Sequence, residues 1–598
     1  MKYETYEHDV IVIGAGGAGL RAAIEASLQG ASVGLICKSL LGKAHTVMAE
    51  GGVAAALSNV DPRDNWQVHF RDTMRGGKMV NNWRMAQIHA QEAPARVNEL
   101  EAWGAVFDRT KDGKILQRNF GGHRYPRLAH VGDRTGLEMI RTLQDYAVHQ
   151  KNIKVYMECT TTHLLKDGDK ISGVFGYWRA TGEFVCFKTK AVVLATGGIG
   201  KSYRITSNSW EYTGDGQSLA YQTGADLIDM EFVQFHPTGM VWPLSVKGTL
   251  VTEGVRGEGG ILKNSKGERF MFRYIPDMFK GEFAEDEKEC KRWLAGDKNS
   301  RRPPDLLTRD VVARAITAEV KAGRGSPHGG VFLDIASQID AETIKKKLPS
   351  MYHQFKELAN VDITKEPMEV GPTAHYIMGG IRVDAETTAA TVPGLFAAGE
   401  VAAGLHGANR LGGNSLSDLI VFGRRAGLAA AQYAKQKSQV SSLESQVSSC
   451  MHELLKPFEQ HGGENPFQVM EDLQKTMEKL VGIVREEKEL KQALEEIEEL
   501  KTRAKHVKAT GERIYNAGWH YCIDLKNLLT VSEAITRAAL ERKESRGGHT
   551  RLDYPESEKE FGKINFCIRK KGETMQIAKE NLPQMPAELM ALINEGLK

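Results

Sequence analysis

The sequence predicts an α/β protein built around a dinucleotide-binding fold, and three short stretches carry that prediction. Residues 8–14 (HDVIVIG) form an apolar run of strand length. The run enters Gly14-Ala-Gly16-Gly17-Ala-Gly19, then a helical segment over 20–29 and a second strand over 31–37. Strand, glycine loop, helix, strand is the opening unit of a Rossmann-type fold: the glycines allow a tight turn and let a helix N-terminus approach a pyrophosphate. Two later apolar strands end in similar turns, 191–195 before Thr196-Gly197-Gly198 and Gly394-Leu-Phe-Ala-Ala-Gly399-Glu400.

The first and last of these units must meet in space to hold one dinucleotide, so the chain between them contains an insertion. Residues 240–370, richer in charge and poorer in strand signal, are expected to form an α+β capping domain. It would split the dinucleotide-binding domain into 1–239 and 371–438. From 439 to 553 a helical domain is expected. Within it, 467–507 is dense in Glu, Lys and Leu at helical spacing, an amphipathic run that must pack on something, and 528–542 is a second such run. Residues 554–598 close the chain as a polar tail.

Composition narrows the class. A formal net charge of +3 over 598 residues gives no reason to expect nucleic acid. The seven cysteines are scattered, with no Cys-x-x-Cys pair, which argues against an internal iron–sulfur or zinc site and for a reducing compartment. No run of about 18 uncharged apolar residues is present, so no membrane span is expected. The first nine residues lack a signal peptide's apolar core. Where an acid would hold a ribose in an NAD protein stand Lys38-Ser39, which argues against NAD; both are taken as nucleotide contacts of another kind.

One segment is more specific: Lys43-Ala-His45-Thr46-Val-Met-Ala-Glu50-Gly51-Gly52. It resembles the succinate dehydrogenase/fumarate reductase flavoprotein family, whose histidine in such a run bonds the 8α-methyl of FAD. The resemblance continues in order along nearly the whole chain: Phe120-Gly121-Gly122, Asp133-Arg-Thr-Gly136, Gln234-Phe-His236-Pro-Thr-Gly239, Thr252-Glu253-Gly-Val-Arg256-Gly-Glu258-Gly-Gly, Thr308-Arg309-Asp310, Pro372-Thr-Ala-His375-Tyr, Asn409-Arg410-Leu-Gly-Gly-Asn-Ser415-Leu416, and Trp519 through His549. It implies an FAD-binding domain with the flavin covalently attached to His45. Gly14, Gly16, Gly17, Gly19, Lys38, Ser39, Thr46, Gly51, Gly52, Asp215, Glu400, Ser415 and Leu416 would be the other cofactor contacts, with Glu400 on a ribose hydroxyl. An 8α-histidyl substituent withdraws electron density and makes the flavin a stronger oxidant, as succinate requires.

The implied substrate is a small C4 dicarboxylate. A buried carboxylate needs cationic or multiple donor partners. His375 and Arg410 suit one end, with Arg410 offering a bidentate fork, and His236 and Thr252 suit the other, near Phe120. Clamping both ends aligns a C–H with the flavin. By resemblance Arg309 is the proton donor in fumarate reduction, resupplied through Glu253 and Arg256. Guanidinium is a poor general acid, which is why a relay is needed.

Two positions depart from the common pattern: Lys43-Ala44 for Arg-Ser, and Glu50 where most respiratory members have Gln. An acid beside the flavin should lower its potential, a lean toward a menaquinone-linked, fumarate-reducing system. With no cluster ligands of its own, the chain is expected to pass electrons through an iron–sulfur subunit to a quinone-binding membrane anchor, as a peripheral protein on the cytoplasmic face of a prokaryotic membrane. The alternatives are an L-aspartate oxidase-type flavoenzyme, against which the His45 run argues, and a non-catalytic flavoprotein, against which the intact set of charged residues argues.

Overall fold

The computed structural model describes residues 2–297, 299–437 and 443–595. Its central layer is a seven-stranded sheet. Strand Tyr3–Ile13 lies in the middle, parallel to Val33–Ile36 on one side and to Phe184–Leu194 on the other. Val33–Ile36 leads outward to Ile153–Tyr156, while Phe184–Leu194 leads to the antiparallel strands Lys170–Trp178 and Cys159–Asp167. Strand Leu395–Ala397 also joins Phe184–Leu194, with Leu395 opposite Val192 and Ala397 opposite Leu194. The three glycine-marked units of the sequence therefore end side by side at the C-terminal end of the parallel strands of one sheet.

Val10–Ile13 is buried on both faces, which is why the run is continuously apolar rather than alternating. One face is covered by two helices, Gly17–Leu28 and Asn414–Lys435. Their contact depends on small residues four apart. A Cβ on Gly423 would lie 2.6 Å from the Ala18 carbonyl oxygen, and one on Gly427 would lie 2.2 Å from that of Ala22. Glycine on one helix and alanine on the other let the backbones touch, and this brings the start of both helices to the same end of the sheet.

A second apolar cluster runs from Met240 to Val370 around a four-stranded antiparallel sheet, ordered Val233–Met240, Met368–Ile377, Val331–Asp334, Ile261–Lys263. The weak strand signal of this region has a simple cause: two of its strands are only three and four residues long. The longer two run across positions 240 and 370 and link the two cores.

The stretch 467–507 is two helices rather than one, Pro466–Leu480 and Glu487–Ala504. Arg485 turns inward between them, fully buried, and donates to the carbonyls of Glu231 (2.8 Å) and Gly482 (3.0 Å). The expected helix over 528–542 begins earlier, at Ala517, where Asn516 caps the Trp519 amide. The predicted boundary at 438/439 lies outside the described residues. The expected polar tail is corrected: Ile564–Lys571 and Thr574–Asn581 form a hairpin, and its first strand pairs with Leu227–Ile228. The signal is present in Ile564, Phe566 and Ile568 at alternate positions and in the Lys-Gly-Glu-Thr turn, but charge dominates the stretch.

All seven cysteines are free and buried. Among the described residues no helix is long and apolar enough to cross a membrane.

The hairpin is tied down by charge. Arg542, with a fully buried side chain, bonds the equally buried carboxylates of Glu231 and Glu544 and lies 4.9 Å over the Phe566 ring. Arg542→Leu would strand the Glu231 carboxylate in the interior, while Glu544 keeps Arg546, at a cost of about 3–5 kcal/mol. A marked fall in the thermal unfolding midpoint is expected, and an unchanged midpoint would show that the ion pairs contribute nothing.

Candidate active site

One long cavity runs along the ends of the parallel strands, from the glycine loop to a cluster of arginines between the two cores. At the loop, Gly14 has φ +105°, and a Cβ there would lie 2.2 Å from the Ala195 carbonyl oxygen. A Cβ on Gly19 would lie 1.8 Å from the Gly14 carbonyl oxygen. The N-cap residue Gly16 has no side chain to cap the helix Gly17–Leu28, so apart from the Gly17 amide, which donates to Thr46, its N-terminal amides are left to face an anion. Lining the cavity, Thr196 Oγ1, Tyr376 Oη and Arg410 Nε are buried without a partner. Bare amides, a backbone cradle and orphaned polar atoms are what a dinucleotide such as FAD would satisfy.

Lys38 and Ser39 line the same end. The Lys38 ammonium donates to Asp524 (2.7 Å), Thr213 (2.8 Å) and Asp215 (2.9 Å). An ammonium has three donors, so all are in use. Lys38 therefore acts on the nucleotide region by fixing Asp215, whose other oxygen accepts from Asn527. Asp524 and Asn527 come from the helix Ala517–Glu541, far along the chain, and no local pattern marks them as part of this site. Glu400, after strand Leu395–Ala397, accepts from the Ile377 amide (3.1 Å), and burial raises its carboxyl above the usual range.

His45 opens a single 3₁₀ turn, His45–Met48, whose Thr46 hydroxyl accepts from the Gly17 amide (3.3 Å). Behind the turn stands Gly136, whose Cβ would lie 1.9 Å from the Thr46 carbonyl oxygen. The 133–136 block thus buttresses the His45 turn, and Asp133 itself accepts from the amides of Ser350 and Met351. Asn208 Nδ2 lies 3.2 Å from His45 Nε2 and 2.9 Å from the His375 carbonyl. That carbonyl fixes the amide as a donor, so His45 Nε2 is the unprotonated nitrogen. Burial, then the Lys201 cation, push His45 down to about 4, and the imidazole is neutral at neutral pH. The Tyr212 ring meets it edge-on at 4.8 Å.

Arg118 donates to the backbone carbonyls of Glu50 and Gly51 and holds the rest of this segment. Gly51 is pressed against Phe120: a Cβ there would lie 2.7 Å from the ring. Glu50 lines the cavity with one oxygen shut off from solvent. Burial, then the nearby Asp133, raise its carboxyl well above the ordinary range. The expectation that Glu50 lowers a flavin potential assumes a charged carboxylate, and the burial that raises the carboxyl works against that charge.

At the other end, Arg309 and Arg410 meet on a single oxygen. Gln234 Oε1 accepts from Arg410 (3.0 Å) and Arg309 (3.3 Å), while Gln234 Nε2 donates to Asn409 Oδ1 and the Arg410 carbonyl. Arg410 also donates to Ser415 Oγ and lies 4.3 Å over the Tyr376 ring. Arg309 Nε donates to Glu253 (2.9 Å), which also accepts from the Gly121 amide (2.7 Å). Arg256 stands behind, 3.7 Å from the same Glu253 oxygen, and donates to the Asp305 carbonyl. Glu253 is thus the middle member of the trio. Burial works to raise its carboxyl, but Arg309 and then Arg256 outweigh that and bring it below the usual value. Burial, then the Arg309 cation, press Arg410 downward, though a guanidinium still keeps its proton at neutral pH.

His236 and His375 face one another with ring centroids 5.2 Å apart. Burial first, then the Arg309 cation for His236 and the Arg410 cation for His375, push both well below their ordinary range. Thr252, Phe120, Ser415 and Leu416 complete the lining. Every site residue expected from the sequence lines this cavity or, like Gly19 and Arg256, stands directly behind it. Gln234, Asn208 and Tyr212 are absent from that expectation; Gln234 sits inside a motif, but an amide bridging two guanidiniums has no signature in sequence spacing.

Comparison with known proteins agrees with this geometry. A family model described as "FAD binding domain" matches residues 9–416, and one described as "Fumarate reductase flavoprotein C-term" matches 470–590. Over 574 residues the chain is 44% identical to one of the subunits of the CoM/CoB fumarate reductase of Methanothermobacter marburgensis, covering 95% of this chain and 98% of that one. It is 39% identical to the succinate dehydrogenase flavoprotein subunit of Coxiella burnetii, covering 92% of each. Among solved structures, Mycobacterium smegmatis Sdh1 in complex with UQ1 is 58% identical with a TM-score of 0.84, covering 98% of this chain and 95% of that one.

Gly19→Ala places a methyl group inside the Gly14 carbonyl and must displace the loop or the helix start. The purified variant should have lost most of its visible flavin absorbance while keeping its fold by circular dichroism. Full flavin content would show that the loop does not hold the nucleotide.

Proposed function

We propose, from the premise that this chain belongs to the succinate dehydrogenase/fumarate reductase flavoprotein family, that it interconverts succinate and fumarate on a covalently held FAD and passes the electrons to partner subunits. The chain is an FAD-dependent oxidoreductase of that family. One observation carries the substrate assignment. Two buried guanidiniums, Arg256 and Arg309, share the carboxylate of Glu253, and a third, Arg410, makes no ion pair among the described residues and is held by the neutral Gln234 amide. Burying a cation without a charged partner is costly, and a dicarboxylate supplies the missing negative charge.

In this reading Arg410 and His375 take one carboxylate, while His236 and Thr252 take the other. Phe120, fixed against Gly51 and Gly412, closes the pocket. When bound, FAD supplies the hydride acceptor or donor. Arg309 holds the proton exchanged with the other substrate carbon, and Glu253, bonded to its Nε, is placed to return one from the Arg256 side. The glycine loop and the helix start at Gly17 hold the pyrophosphate, Glu400 a ribose hydroxyl, and Ser415 and Leu416 the flavin ring. His45, neutral with Nε2 unprotonated, is in the form that can bond the flavin 8α-methyl. The parts we assign as FAD-binding are 1–239 and 371–438, with 240–370 as the cap, 439–553 as the helical domain and 554–598 as the C-terminal segment.

No Cys-x-x-Cys pair occurs, and each cysteine is buried and free, so the chain offers no cluster of its own for onward electron transfer. We assign that role to an iron–sulfur subunit together with quinone-binding anchor subunits, with this chain peripheral on the cytoplasmic face of a prokaryotic membrane. The lean toward a menaquinone-linked complex rests on Glu50 standing where most respiratory members have Gln, and the burial that raises the Glu50 carboxyl works against the charge behind it.

His45→Ala should bind FAD that is released on denaturation, so the yellow-green fluorescent band of the unsubstituted chain on a denaturing gel should vanish. Succinate oxidation should fall further than fumarate reduction; equal losses would contradict the potential-tuning role. Arg309→Leu should still perturb the flavin spectrum on adding fumarate yet lose on the order of a thousandfold or more in turnover, the scale of a general-acid contribution. Substantial turnover would remove Arg309 from the proton path.

A further inference from the structure

Three buried histidines stand outside the set just assigned. His69 lies on the helix Trp66–Gly76, His89 on Trp83–Ala102, and His123 in the loop after Phe120. Their rings cluster, with His69 5.0 Å from His89 and 6.0 Å from His123, and none is more than 2% exposed. Each directs Nε2 at the same short segment. His123 meets the Gly412 carbonyl at 2.7 Å, His89 the Ser417 hydroxyl at 2.8 Å, and His69 the Asn414 side-chain oxygen at 2.9 Å.

The partners fix the protons on two of the rings. A carbonyl only accepts, so His123 donates from Nε2. Asn414 spends its amide group on Thr73 (3.0 Å), which leaves its oxygen to accept from His69. The Ser417 hydroxyl, which also has backbone acceptors at Gly413 and Asn414, bonds His89 as donor or acceptor. Three Nε2 hydrogen bonds thus converge on 412–417, and all three Nδ1 atoms are buried without a partner. Burial keeps the rings neutral, and the Arg127 cation nearby adds to the effect. Their nitrogens do not converge on a point where an ion could sit; among the described residues only Asp226, Cys567 and Glu580 do, and the two carboxylates there are already paired with arginines.

The braced segment begins the helix Asn414–Lys435, which no side chain of its own N-cap secures. It carries Ser415 and Leu416 into the cavity, and Ser415 Oγ takes a hydrogen bond from Arg410. A Cβ on Gly412 would lie 2.4 Å from the Phe120 ring and 3.1 Å from Arg309 Nη2, so movement of this turn reaches both arginines.

We propose that His69, His89 and His123 are positioning residues: three hydrogen bonds from other elements that fix the first turn of this helix and, through it, the register of Arg410 and Ser415 in the substrate pocket. The proposal rests on the reading of Arg410 as the carboxylate clamp.

The test uses the FAD-loaded enzyme. His123→Leu keeps bulk and removes the donor; His123→Gln returns an N–H near the place of Nε2. His123→Leu should raise the KM for succinate about fivefold, the scale of one net hydrogen bond, with a smaller change in kcat and unchanged flavin content. His123→Gln should recover most of that loss. Hydrogen–deuterium exchange of the peptide spanning 412–417 should rise in His123→Leu and return toward normal in His123→Gln. If His123→Leu does not accumulate, His123→Asn, polar but one methylene too short, takes its place with the same expected outcomes. Wild-type KM and exchange in the donor-free variant, or a glutamine variant as impaired as the leucine one, would overturn the brace. An unsubstituted enzyme inert toward succinate would sink the functional reading instead, and exchange at 412–417 would still decide the brace.

Discussion

Two guanidiniums sharing one amide oxygen set the terms for the rest of this site. Arg309 and Arg410 repel one another, and Gln234 Oε1 holds both while neutralising neither. Glu253 balances part of the charge but also answers to Arg256. The positive surplus persists because each group is hydrogen-bonded from several elements at once, so no single one can relax away. A fold that stores this imbalance next to a long, amide-lined cavity is prepared for an anion beside a dinucleotide. The substrate's charge then acts as the missing partner, which favours binding over an uncharged analogue.

The scaffold reaches that geometry through close backbone contact. Gly423 and Gly427 against Ala18 and Ala22 let two helices approach until their N-termini share one end of the sheet. One presents bare amides at the glycine loop; the other presents Ser415 and Leu416. Arg410 reaches Ser415 from the preceding turn, and three histidines from elsewhere in the chain hold that turn from behind. The nucleotide and substrate ends of the cavity are therefore mechanically one unit.

The glycine loop, the flanking strands, the His45 run and the charged residues of the pocket are legible in the sequence because each depends on local pattern or on motifs of a few residues. Other roles differ from what the local pattern implies. Lys38 has the position of a nucleotide contact, yet its three donors go to Thr213, Asp215 and Asp524, and the last comes from a helix nearly five hundred residues away. Asp133 belongs to a block of the family resemblance, and its carboxylate pins the chain at Ser350 and Met351. The final hairpin has the composition of a tail because its charged face outweighs three apolar residues at alternate positions.

By itself, the sequence determined the fold class, the kind of cofactor and the charged residues available for a dicarboxylate, since strand periodicity, glycine spacing and residue chemistry are local properties. Only the tertiary structure decided which groups act together: that Gln234 joins the two arginines, that Asn208 sets the tautomer of His45, and that burial raises the Glu50 carboxyl. Those outcomes depend on burial and on partners brought in from distant segments, and neither quantity is a function of neighbouring letters.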